Sequence, residues 1–171
     1  MGKIFIWSIG FVVGIIIAFI CLTKLNNDGK SKTKYDERQK AVRGDAYRYA
    51  FFATIIACFV VMLLSTVDGL LNIFGNEVYC IPIFVGLVVQ ISYAIFNDGY
   101  VGLNTNMKRF IIFMILITLV NILVPVRFMV EGEFIKDGVI QTGFANLLCA
   151  GLFIILIIEL LIKKLIDKRG E

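Results

Sequence analysis

Hydrophobic and polar positions alternate here on the scale of whole helices. Five apolar runs, at about 4–23, 47–67, 79–96, 110–130 and 143–162, are separated by shorter polar stretches. Each run approaches the roughly 20 residues a helix needs to cross a bilayer. A backbone in hydrocarbon has no water to bond, so each run must pair its own N–H and C=O groups as a helix. The pattern predicts an all-α, polytopic membrane bundle of five transmembrane helices, forming a single domain over 1–171. The first run is longer than a signal-peptide core and no small-x-small cleavage site follows it, so it is expected to remain as a helix.

Local signals divide the runs. Asp68-Gly69 closes the second, and Gly75-Asn76 reads as a turn. Pro82 falls in the first turn of the third run, where a missing N–H costs little. Asn97-Asp98-Gly99 ends that run, and Pro125 is expected to kink the fourth. Asp137-Gly138, between Phe134-Ile135 and Val139-Ile140, suits a two-residue hairpin. A hairpin of that size is marginal when isolated.

The one long polar stretch is the connector 24–46. Its first half, Asn26 to Ser31, reads as loop. In its second half Tyr35, Val42, Ala46 and Tyr49 fall at i, i+7, i+11 and i+14, one stripe of a helix. Asp36 and Lys40 stand in the favourable i,i+4 order, worth roughly 0.2–0.5 kcal/mol. This helix is expected to lie along the membrane surface and to turn at Gly44 into the bilayer.

Composition agrees with the pattern: 59% of residues are hydrophobic, against about 45–50% in a soluble domain. The net charge of +4 is modest. It suits an anionic lipid surface better than nucleic acid, so the expected partner is the bilayer. Of the 17 Lys and Arg residues, all but Lys3, Arg127 and Lys136 fall on one side of a five-span arrangement. Basic residues near span ends mark the cytoplasmic side, so the N-terminus is expected outside and the C-terminus inside.

The connector also carries a resemblance. Tyr35-Asp36-Glu37-Arg38-Gln39, then Arg43-Gly44, then Ala46-Tyr47-Arg48-Tyr49-Ala50-Phe51 resembles a group of small multi-pass membrane proteins of Gram-positive bacteria. In these a similar segment precedes an aromatic-rich span. The resemblance covers about a tenth of the chain. It implies a location in the bacterial plasma membrane and a multi-pass architecture, and it implies no reaction.

Candidate chemistry is sparse. The chain has no histidine, and its cysteines, Cys21, Cys58, Cys80 and Cys149, lie in or at the ends of separate runs. They read as small buried hydrophobes, and a Cys80–Cys149 bridge stays open. Polar residues within the runs are Gln90, Asn121 and Asn146. They read either as interhelical hydrogen bonds or as the lining of a midplane pocket. Glu159 is the one acid within an apolar run and is expected to pair with Lys163 at i+4. Gly10, Gly14 and Ala18 recur every four residues, a face on which another helix can pack closely.

No metalloprotease helix, paired intramembrane acids, nucleophile–base pair or phosphate-cradling loop is present. The expectation is a non-enzymatic integral membrane protein, without a cofactor, acting through a membrane-protein partner or as a homo-oligomer. Asp36, Glu37, Arg38, Gln39 and Arg43 would form its cytoplasmic docking or folding element. The rival is a small transporter or substrate-binding membrane subunit built around Gln90, Asn121 and Asn146.

Overall fold

The computed structural model describes residues 34–67, 69, 71–103, 105–140 and 143–170. The chain divides into two units, Met1–Lys34 and Tyr35–Glu171, and the described elements belong to the second. The first apolar run, with Gly10, Gly14 and Ala18, lies outside the described residues, as do the loop from Asn26 to Ser31 and Asp68.

The described elements are helical apart from one small sheet. Helix α1 spans Glu37–Leu64, α2 Cys80–Phe96, α3 Met107–Val130 and α4 Phe144–Gly170. A 3-10 helix, Asn72–Tyr79, leads into α2, and strands β1 (Ile135–Lys136) and β2 (Val139–Ile140) lie between α3 and α4. Four helices are long and apolar enough to cross a membrane. The 17 residues of α2 alone span only about 26 Å at ~1.5 Å per residue. The 3-10 segment extends that stretch to 25 residues.

The connector from Glu37 onward and the second apolar run form one helix of 28 residues, Glu37–Leu64. The turn expected at Gly44 does not occur. A missing Cβ costs only about 0.5–1 kcal/mol in a helix, too little to break one that is extended on both sides. An Asp45–Arg48 ion pair of 3.4 Å spans the next turn. At the far end Ser65 and Thr66 donate their hydroxyls to the Met62 and Leu63 carbonyls, each at 2.6 Å. They satisfy acceptors that a helix end otherwise leaves open.

In space the helices run α1, α2, α4, α3: the last helix fills the seam between its two predecessors. Small residues make the α1–α2 seam, where Ala46, Ala50 and Ala94 are buried. A Cβ at Gly86 would overlap Thr54 Oγ1 and sit 3.2 Å from the Ala50 carbonyl oxygen. Close approach of backbones is how helices gain contact in lipid, where water supplies no drive between them. Larger side chains, Ile95, Met114, Leu156 and Leu160, fill the α2–α4–α3 seam.

The Asp137-Gly138 hairpin forms, with Lys136 opposite Val139 and Ile135 opposite Ile140. Both turn residues have positive φ, 52° and 76°, as a type I′ turn demands. The hairpin does not stand alone: Phe134, Ile140 and Phe144 form a second core against Phe74, Ile81, Phe128 and Leu148. Pro125 is fully buried, α3 continues past it to Val130, and Gly143 packs on its Cα.

Candidate functional site

The connector residues gather at the start of α1. Asp36 is the N-cap: its carboxylate accepts from the Gln39 N–H at 2.6 Å, while Gln39 Oε1 accepts from the Asp36 N–H at 3.3 Å. This reciprocal capping box satisfies two donors that a helix start leaves unpaired. It also takes Asp36 away from the expected pair with Lys40. Glu37 occupies the first turn, where negative charge opposes the positive end of the helix dipole.

Gln39 then reaches across the fold. Its Nε2 donates to the carbonyl oxygens of Asp98 at 2.9 Å and Val101 at 3.1 Å. The residue is only 9% exposed, so one amide ties the start of α1 to the α2–α3 loop. Arg38 adds an exposed ion pair to Asp98 at 3.3 Å. The guanidinium of Arg43 lies 4.3 Å from the Tyr35 ring centre, and Tyr35 donates its hydroxyl to the Tyr100 carbonyl at 3.4 Å. Burial pushes the Tyr100 hydroxyl up to about 12, with nearby Tyr35 adding and Arg43 opposing.

The loop that receives Gln39 is itself a helix cap. Gly99 N–H bonds the Ala94 carbonyl at 2.7 Å and Asp98 N–H the Ile95 carbonyl at 3.2 Å, the two bonds of a Schellman motif. Asp98, not Gly99, takes the left-handed position, with φ of 61°. Gly99 is small for another reason: a Cβ there would lie 2.5 Å from Val42 Cγ1 of α1. The Asp98 carboxylate is held from a second side by Lys163 of α4 at 3.0 Å, and Lys163 also pairs with Asp167 at 2.9 Å. Three helices thus converge on one loop.

Lys163 is therefore not the partner of Glu159, and the expected surface pair is corrected. Glu159 faces α2, where Ser92 Oγ donates to its Oε1 at 2.6 Å. Its Oε2 is buried with no hydrogen-bond partner among the described residues. Removing the one donor should cost more than removing both groups. Ser92→Ala is expected to lower stability in detergent by about 1.5–3 kcal/mol. The double variant Ser92→Ala, Glu159→Leu should recover most of it in the same thermal assay.

The three polar residues of the apolar runs do not share a site. Asn146 Nδ2 donates to Asn121 Oδ1 at 3.2 Å across α3 and α4, and Asn121 Nδ2 to the Ile117 carbonyl at 2.9 Å. Gln90 instead lines a cavity of about 60 Å³ with Arg43, Ala46, Tyr47, Ala94 and Tyr100. Cys58, Cys80 and Cys149 are free thiols. Among the described residues no three His, Cys, Asp or Glu side chains converge to hold a metal.

The capping box had no reading in the sequence although it had a signal, and Asp98 was read only as part of the Asn97-Asp98-Gly99 stop. Asp36-x-x-Gln39 ahead of a helix is a capping box. Asp98 just past a helix is a residue type that tolerates the left-handed cap. Ser92 had none, because its partner lies 67 residues away. In comparisons with known proteins, no family model, no curated protein and no solved structure matches the chain.

Proposed function

We propose that the chain is a non-enzymatic, multi-pass integral membrane protein that works by association, with a partner membrane protein or with copies of itself. Five spans place the N-terminus outside and the C-terminus inside. Asp36, Arg38, Gln39 and Arg43 then act as a cytoplasmic folding element that clasps the α2–α3 loop. The distribution of Lys and Arg supports the orientation. The resemblance of the Tyr35–Phe51 segment to multi-pass proteins of Gram-positive bacteria supports the bacterial plasma membrane.

One observation carries the association. Beyond Ala50, no residue of α1 is buried. Phe51, Phe59 and Leu63 are each more than half exposed, an apolar surface suited to lipid or to another membrane helix. The rival, a solute pocket around Gln90, Asn121 and Asn146, has less support, because Asn146 donates to Asn121 and Asn121 donates to the Ile117 carbonyl, away from Gln90.

Single cysteines in a cysteine-free background test both halves. Lys136→Cys should react with an impermeant thiol reagent on intact cells, and Lys40→Cys only after permeabilisation. The reverse result overturns the orientation. Phe59→Cys should give a cross-linked product in native membranes, to a copy or to a second protein. A protein that stays uncross-linked there overturns association through α1.

A further inference from the structure

A cavity of about 650 Å³ opens at the basic end of the bundle, between the α2–α3 loop, the start of α3 and the last turns of α4. Sites for small ligands run to roughly 300–1,000 Å³. Part of the wall is apolar, including Ile111, Leu160 and Leu161. The charged part is one-sided in effect. Its two acids, Asp98 and Asp167, both hold Lys163. Lys108, Lys164 and Lys168 also line it, and among the described residues they make no ion pair.

Two of these lysines suit their own helix. Lys164 and Lys168 lie toward the C-terminal end of α4, where cations oppose the negative end of the dipole. Lys108 does not. It is the second residue of α3, Arg109 follows it, and no acid occupies that first turn. Two cations therefore face the positive end of a helix dipole, an arrangement that an anion would relieve.

We propose that this cavity binds an anionic phospholipid, its phosphate against Lys108, Lys164 and Lys168 and an acyl chain along Ile111, Leu160 and Leu161. The proposal rests on the reading that α3 and α4 span a bilayer, which sets the cavity where headgroup meets hydrocarbon. Basic pockets between membrane helices are suited to such headgroups. A free phosphate would leave the apolar wall wet, and a neutral lipid would leave three ammonium groups unmatched.

The test uses the full-length protein in mild detergent, with native mass spectrometry and thermal stability as readouts. Phosphatidylglycerol should remain bound and raise the melting temperature, while phosphatidylcholine and inorganic phosphate should do neither. The triple variant Lys108→Gln, Lys164→Gln, Lys168→Gln should bind phosphatidylglycerol about a hundred-fold more weakly. The corresponding Lys→Arg triple variant should keep it. Leu161→Gln retains every lysine and should also weaken binding, which keeps the proposal testable if the glutamine triple does not fold. Equal retention of phosphatidylcholine, unchanged binding in Leu161→Gln or in a folded glutamine triple, or equal stabilisation by phosphate alone would overturn it. Binding in detergent is independent of orientation, so failure here and failure of the cysteine-labelling experiment are separate results.

Discussion

Gln39→Leu should destabilise the protein more than any other single substitution in the connector. The change leaves the Asp98 and Val101 carbonyls and the Asp36 N–H without their partner. Each stripped polar group, where water cannot replace the amide, costs about 1–3 kcal/mol. With some of that cost relieved by solvent at this partly buried site, the expected loss is about 2–4 kcal/mol. The fraction of protein still monodisperse after graded heating in detergent measures it. Gln39→Glu should fall nearly as far, because it sets a carboxylate oxygen against two carbonyls. Arg38→Ala should cost less than about 1 kcal/mol, since its ion pair to Asp98 joins side chains that are 70% and 49% exposed. If the arginine variant proves the worse of the two, the clasp is held by charge, and the hydrogen-bonded account of it is wrong.

Glycine to alanine should have opposite signs at two positions of the α1–α2 pair. At Gly86 the added methyl overlaps Thr54 Oγ1 and presses on the Ala50 carbonyl. The helices must separate along their tightest line, at a cost of about 1–3 kcal/mol. Thr54→Ala introduced alongside should return part of the loss by removing the hydroxyl, though not the backbone contact. At Gly44 the methyl meets nothing within 4 Å and the backbone is helical. There alanine should stabilise by about 0.4–1 kcal/mol, through the smaller freedom of the unfolded chain. Thermal stability of the variants, ranked against the parent protein, decides it. A Gly86→Ala protein as stable as the parent would mean that α1 and α2 do not pack at the distance described.

Where the chain is apolar was readable from the sequence, because a run of about 20 oily residues has one low-energy conformation in hydrocarbon. The boundaries of α2 and the Asp137-Gly138 hairpin followed from turn chemistry, which is local. The start of the second run was less clear. The connector and the run were expected to meet at a turn on Gly44, yet one helix passes through. A single glycine weakens a helix without deciding where it ends.

Side-chain partners were a different matter. The stripe of Tyr35, Val42, Ala46 and Tyr49 was visible as a helical face, but it was assigned to the membrane surface. In the fold it packs inward. Val42 lies on Gly99, Ala46 is buried, and the Tyr49 ring meets that of Tyr93 at a tilt, with centres 4.9 Å apart. Asn121 and Asn146 were both suspected of bonding across helices and do so, whereas Gln90 faces α1 and the Tyr100 loop.

Periodicity and turn chemistry determine which segments are helical, since both depend on neighbours a few residues apart. They do not determine the order α1, α2, α4, α3, which brings Lys163 to Asp98 and Ser92 to Glu159. An i+4 rule offers Glu159 the nearest lysine. The fold offers Lys163 two carboxylates and turns Glu159 toward another helix, because a side chain's partner depends on which helix faces it. That choice is made only when the helices pack.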